Sequence, residues 1–128
     1  MSPDLKYLLF SVVLMFVQVL VAAAAANQAV GLTALAGNRE DVGELTGFAG
    51  RARRAHLNML ENMVLFSALV LIAAVANKAN ATTALGELIF FWSRLAYAVI
   101  YWIGIPWLRT LAWAVSVIGM VMIALQLF

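Results

Sequence analysis

The chain has 128 residues, of which 66% are hydrophobic and only 11% are charged, and its mean hydropathy is +0.99. Soluble domains carry about 25% charged residues, so this composition excludes an ordinary soluble domain and predicts an integral membrane protein. The net charge of +2 is too small to indicate a nucleic-acid partner, and the absence of cysteine, together with a single histidine, argues against disulfides and against a metal site. A membrane span needs about 20 residues. We therefore expect one all-α domain, residues 1–128, with four spans in a bundle.

The first apolar run, Leu8–Ala26, predicts a membrane helix over about residues 5–32. The run also resembles the hydrophobic part of a secretory signal peptide, because Lys6 precedes it and Ala22–Ala26 offers small-residue cleavage sites. Its length and the membrane-embedded segments that follow favour the helix. Residues 33–50 are rich in glycine and charged side chains and are predicted to form a loop.

Three further apolar segments follow this loop, and they predict spans over residues 51–76, 83–103 and 107–127. Thr83 is suited to cap the start of the third span. Pro106 stands at the start of the fourth span, where proline is favoured because its missing N–H is not needed.

The charges are distributed unequally between the two ends of the predicted spans. Five arginines fall at one end: Arg39, Arg51, Arg53, Arg54 and Arg109. The other end carries Lys6 and Lys78. The positive-inside rule then predicts that the arginine-rich end faces the cytoplasm and that both termini lie on the non-cytoplasmic side.

The second span begins with a polar stripe. Helical spacing of about 100° per residue places four polar side chains on one face: Arg51, Arg54, Asn58 and Glu61. Arg53 and His56 fall on other sides of the helix. A charged side chain at the centre of a span costs roughly 2.5–3.5 kcal/mol on insertion scales, so these groups need partners or a task. Either Arg54 and Glu61 pair inside the bundle as packing elements, or the stripe binds a ligand.

The third span carries a similar face, formed by Arg94, Tyr97 and Tyr101 at positions i, i+3 and i+7. Arg94 lies near the middle of the span with apolar residues on both sides. It therefore needs an acidic or carbonyl partner, and Glu61 is the best candidate within the membrane.

Arg109 and Thr110 stand at the start of the fourth span. They are interpreted either as an interfacial arginine with a helix-start hydroxyl or as part of a site. Arginines bind carboxylates through two hydrogen bonds, Glu61 can accept from an ammonium group, and an arginine or a hydroxyl beside a thiol stabilises its thiolate. The whole set suits an anionic or zwitterionic ligand.

Two segments carry a resemblance to a known family. Both resemble the signature of the MAPEG family, the membrane-associated proteins in eicosanoid and glutathione metabolism. The first segment is Arg51–Asn62, and the second is Arg94–Tyr101 together with Ile105–Thr110, which follows it. The resemblance covers essentially the whole chain and is greatest to bacterial members. It implies a location in the bacterial inner membrane.

The resemblance also implies an assembly and a ligand. The family consists of four-helix subunits that form homotrimers, and its enzymes bind glutathione between neighbouring subunits near the cytoplasmic side. Five residues match glutathione-contacting positions: Arg54, Asn58, Glu61, Tyr97 and Tyr101. Arg109 matches the arginine that stabilises the thiolate, and Thr110 stands where some members have a serine. Met59 departs from the pattern, since many members have an aspartate there, and Tyr97 replaces a histidine of some members.

The leading hypothesis is a glutathione-dependent transferase or peroxidase that acts on hydrophobic electrophiles from the bilayer. Its expected catalytic residues are Arg109 and Thr110, and the expected glutathione-binding residues are Arg51, Arg54, Asn58, Glu61, Arg94, Tyr97 and Tyr101. One alternative is a non-catalytic lipid-binding or scaffold protein of the same fold. Another is a small multidrug transporter, which is disfavoured because Tyr7–Ala26 contains no acidic residue.

Overall fold

The computed structural model describes all 128 residues, and its regular elements are all helices. The helices are α1 (Pro3–Val30), α2 (Leu32–Ala36), α3 (Gly47–Val75), α4 (Ala81–Ile103) and α5 (Pro106–Leu127). Four of them, α1, α3, α4 and α5, are long and apolar enough to cross a membrane. The predicted all-α fold with four membrane-crossing helices is confirmed.

The largest differences from the predicted boundaries lie around the first loop. Helix α1 ends at Val30 because Gly31 adopts a positive φ of 87°, a conformation that glycine adopts readily. The short helix α2 then occupies part of the segment predicted as loop. Helix α3 begins at Gly47, four residues before the predicted start. The glycine at position 50 belongs to this helix, and a Cβ there would collide with the backbone carbonyl of Leu45. Gly50 therefore lets the loop pack closely on α3.

The cap of α4 also differs from the prediction. Asn80 caps the helix, and its side-chain oxygen accepts hydrogen bonds from the backbone N–H groups of Thr82 (2.8 Å) and Thr83 (3.0 Å). The Thr83 hydroxyl oxygen in turn accepts from the Asn80 N–H (2.8 Å). Thr83 is thus the third residue of the helix, where it completes a capping box with Asn80, rather than the cap itself. Pro106 is the first residue of α5, as predicted.

The four long helices pack around an apolar core whose centre is a pair of stacked rings. The rings of Phe66 on α3 and Phe90 on α4 lie 3.8 Å apart and 8° from parallel. The Lys78 ammonium group donates a hydrogen bond to the backbone oxygen of Leu127. The Asn80 amide donates one to the side-chain oxygen of Gln126. These bonds attach the end of α5 to the start of α4 at one end of the bundle. We call the other end, where α3 and α5 begin and α1 and α4 finish, the arginine-rich end.

Buried polar side chains recur at intervals of seven residues on both α1 and α4. Asp4, Ser11 and Gln18 occur at intervals of seven on α1, and Glu87 and Arg94 are also seven apart on α4. All five are buried, and all except Asp4 are completely buried. The carboxyl group of Glu87 lies beside that of Asp4, and neither of its oxygens accepts a hydrogen bond from an N–H or hydroxyl group. Burying two carboxyl groups side by side is costly, since a buried polar group without a full set of hydrogen bonds costs about 1–3 kcal/mol.

Glu87→Leu is expected to raise the melting temperature in detergent, because it replaces one of two adjacent buried carboxyl groups with an apolar side chain. A gain of a few degrees corresponds to about 1 kcal/mol for a chain of this size. Thermal unfolding followed by circular dichroism measures it. Glu44→Leu is the matched control, since Glu44 is exposed in the loop, and it should leave the melting temperature unchanged. A lower value for Glu87→Leu would show that the carboxyl group stabilises the fold.

Candidate functional site

Three helices converge on a small cavity near the arginine-rich end. The cavity has a volume of about 180 Å³, and its lining residues are Asn58 from α3, Tyr97 from α4, and Arg109, Thr110 and Trp113 from α5. Four of these residues, from three separate segments, are site residues predicted from the sequence: Asn58, Tyr97, Arg109 and Thr110. The fold therefore brings together groups that are up to 52 positions apart in the chain.

Each of the two tyrosines of α4 has the guanidinium group of an arginine over its ring. The guanidinium carbon of Arg109 lies 4.4 Å from the centre of the Tyr101 ring, and that of Arg94 lies 4.1 Å from the centre of the Tyr97 ring. Such cation–π contacts are attractive because the face of an aromatic ring is electron-rich. The Arg54 Nε donates a hydrogen bond to the Tyr101 hydroxyl (3.2 Å). Arg54 on α3 and Arg109 on α5 are thus joined through Tyr101.

The predicted pair of Arg94 and Glu61 is wrong within the subunit. Arg94 is completely buried, and none of its guanidinium nitrogens has a hydrogen-bond partner. Glu61 instead points outward and is exposed, as is Arg54. The Arg54 Nε bonds to Tyr101, so the alternative in which Arg54 and Glu61 pair inside the bundle is not supported either. Arg54 and Glu61 thus lie on the outside of the four-helix bundle, whereas Arg94 lies inside it.

Two other predicted residues already have hydrogen-bond partners. The Arg51 Nε donates to the backbone carbonyl of Trp102 at 3.2 Å, and the arginine is half-buried. The Thr110 hydroxyl donates to the backbone carbonyl of Pro106 at 3.2 Å. This bond uses the only proton of the hydroxyl. Thr110 can therefore accept a hydrogen bond from a ligand, but it can donate one only if the bond to Pro106 breaks.

Arg53 and His56 lie on a different side of α3, as the helical spacing predicts. They line a second cavity of about 180 Å³ together with Arg39 and apolar residues of α1. Neither lines the cavity that contains Asn58 and Arg109.

One polar partner in the site was not predicted. The Asn62 side chain donates to the backbone oxygen (2.9 Å) and to the side-chain oxygen (3.2 Å) of Asn58, which fixes the orientation of that amide. The signal was present in the sequence, because Asn62 stands four positions after Asn58 and so lies on the same face of the helix.

An apolar groove runs along α3 and α5 on the side away from the arginine-rich end. Its volume is about 310 Å³, and all seven lining residues are apolar: Leu65, Ala68, Leu69, Val117, Met120, Val121 and Ala124. The polar cavity lies between the same two helices, closer to the arginine-rich end. Along α3 and α5, the polar cavity at the arginine-rich end is thus followed by the apolar groove further from that end.

The fold and the site define a class of protein: a four-helix membrane protein with a polar, arginine- and tyrosine-lined site at one end of the bundle. A family comparison makes this assignment more specific. The model of the MAPEG family matches residues 6–128, and the chain therefore belongs to this family. Members are in general glutathione-related membrane proteins. Comparisons with functionally curated proteins and with solved structures gave no match.

Proposed function

We propose that the protein is a glutathione-dependent transferase or peroxidase that acts on hydrophobic electrophiles and works as a homotrimer. In this proposal glutathione lies between subunits at the arginine-rich end, which faces the cytoplasm of a bacterial cell. Both termini then lie on the non-cytoplasmic side of the inner membrane.

The observation that carries the proposal is the exposure of Arg54 and Glu61 on a single subunit. Glu61 stands at the middle of α3, a helix of 29 residues that is long and apolar enough to cross the membrane. Facing lipid there, a charged group would cost several kcal/mol by most estimates. A neighbouring subunit that covers this face, with a charged ligand between the two, removes that cost. This supports an intersubunit site.

The chemistry of the site matches the charges of glutathione, which carries two carboxylates, one ammonium group and a thiol. Arg54 is suited to bind a carboxylate, and exposed Glu61 is suited to accept from the ammonium group. Arg109 lines the cavity beside Asn58 and Tyr97, where its positive charge would stabilise the thiolate. Arg94 is buried away from this face and is a weaker candidate for direct contact.

The apolar groove between α3 and α5 supports a hydrophobic second substrate. It is lined only by apolar side chains and lies beyond the polar cavity along the same two helices. A substrate that entered from the bilayer would keep its apolar part in this groove while its electrophilic atom reached the thiolate.

Arg54→Ala tests the proposed ligand site. A hydrogen bond to a charged group contributes about 1.5–3 kcal/mol, so this substitution should weaken glutathione binding by roughly 10- to 100-fold. Isothermal titration of the purified protein in detergent measures the affinity, and conjugation of a chlorinated nitrobenzene measures the activity. Arg53→Ala is the matched control, because Arg53 is the adjacent arginine on another side of the helix. The proposal fails if the wild-type protein neither binds nor consumes glutathione.

A second candidate function is non-catalytic lipid binding or scaffolding, and the fully apolar groove also favours this. It predicts that lipid co-purifies with the protein and that glutathione produces no thiolate absorbance in the near ultraviolet. Mass spectrometry of extracted lipids, combined with the ultraviolet difference spectrum, separates the two functions.

A further inference from the structure

The connection between α4 and α5 is short and positions the start of α5. Helix α4 ends at Ile103, Gly104 adopts a left-handed conformation with φ 95°, and α5 begins at Pro106. The N–H groups of Gly104 and Ile105 both donate to the carbonyl of Ile100, at 2.9 and 3.3 Å. Arg109 follows within the first turn of α5. Any change in this connection therefore moves Arg109.

Arg51 of α3 holds this connection by two contacts. Its Nε donates to the carbonyl of Trp102 at 3.2 Å, which is one of the last four carbonyls of α4 and has no partner within the helix. Its side chain also packs against Gly104, since Cδ and Nε both lie 3.4 Å from the position that a Cβ at Gly104 would occupy. One side chain thus contacts the last turn of α4 and the residue that terminates it.

Arg54, one turn further along α3, makes the companion contact. It bonds to the Tyr101 hydroxyl, and the Tyr101 ring lies under the guanidinium of Arg109. Arg51 fixes the backbone of the connection, and Arg54 fixes the ring that faces Arg109. Arg51 does not line the cavity that contains Arg109.

We infer that Arg51 is a positioning residue rather than a ligand of glutathione: it holds the α4–α5 connection so that Arg109 stays over Tyr101 and faces the thiol. The inference rests on the proposed function for the identity of the thiol. The contacts of Arg51 with Trp102 and Gly104 are independent of that identity.

Arg51→Met separates positioning from binding, because methionine retains apolar packing but loses the Nε donor and the charge. Binding of S-methylglutathione, which has no free thiol, should change by less than about threefold, because Arg51 makes no contact with the ligand. The thiolate absorbance of bound glutathione and kcat should both fall by about tenfold or more, since a small displacement of a catalytic group is sufficient for such a loss. Arg53→Met, on the same helix, is the control and should show neither effect.

A readout without ligand completes the test. Hydrogen exchange in detergent, followed by mass spectrometry, should show faster exchange of the backbone amides of residues 103–110 in Arg51→Met than in the wild type. Unchanged exchange there would overturn the inference. So would a tenfold or greater loss of S-methylglutathione affinity, which would make Arg51 a ligand. If the wild type binds no glutathione, the proposed function fails, and the exchange measurement alone decides whether Arg51 holds the connection.

Discussion

Arg109→Ala is expected to lower kcat for glutathione conjugation by about 100- to 1000-fold, the usual loss when a preorganised group that stabilises an anion is removed. Arg109 lines the polar cavity, and its guanidinium is held 4.4 Å from the centre of the Tyr101 ring. The site therefore presents its charge without reorganisation. Steady-state conjugation of a general electrophile, at saturating glutathione, measures kcat directly.

Two comparison variants make this prediction specific. Arg109→Lys keeps the charge but loses the planar group that stacks on Tyr101, so we expect intermediate activity. Thr110→Val should lose less activity than Arg109→Ala, because the Thr110 hydroxyl donates its proton to the Pro106 carbonyl. Equal losses in Thr110→Val and Arg109→Ala would contradict this assignment and would make Thr110 the donor to the thiolate. Full activity in Arg109→Ala would exclude Arg109 from the chemistry.

The residues of the candidate site could be selected from sequence because helical periodicity is a local property. Asn58, Tyr97 and Arg109 stand out as polar groups in or beside apolar segments, and the fold places them around one cavity. The partners of these residues depend on tertiary packing, which spacing along one helix does not determine. For this reason the pair of Arg94 and Glu61 was wrong: the two residues occupy the inside and the outside of the same bundle.

The contact between Arg51 and Trp102 could not be predicted for a related reason. Its acceptor is a backbone carbonyl at a helix end, and every helix end offers such carbonyls. The buried side chains of Asp4, Ser11 and Gln18 are easier to predict from the sequence. They recur at intervals of seven residues, which places all three on one face of the helix. Asp4 lies just outside the predicted first span, residues 5–32, whereas α1 begins at Pro3 and includes it.

The boundary of α3 shows how a correct local rule can fail. Glycine-rich sequence usually indicates a loop, and residues 47–50 contain two glycines. Here Gly50 lies inside the helix. Glycine is needed at this position because a side chain would collide with the Leu45 carbonyl. The glycine serves a close contact rather than a turn, and composition alone does not distinguish these two uses.

Gly119→Val is expected to destabilise the bundle strongly. A Cβ at Gly119 would lie 2.6 Å from the Gly86 carbonyl oxygen and 3.1 Å from the backbone nitrogen of Phe90. Both neighbours are backbone atoms of α4, so rotation of a side chain cannot relieve the collision. Helices α4 and α5 would have to separate along their interface, which is the most extensive in the subunit. Close approach through small residues is a main source of helix association in membranes.

The size of the effect follows from the cost of overpacking, about 1–3 kcal/mol and occasionally more, which corresponds to a fall in melting temperature on the order of 10 °C. Thermal unfolding in detergent measures it. Gly37→Ala is the control, because a Cβ there would meet only ordinary contacts at 3.7 and 3.8 Å and Gly37 has a negative φ of −79°. Gly86→Ala approaches the same contact from α4, since its Cβ would lie 2.6 Å from the Gly119 oxygen. The effects of changing both glycines should therefore be less than additive, and a melting temperature of Gly119→Val equal to that of the wild type would refute this packing of α4 on α5.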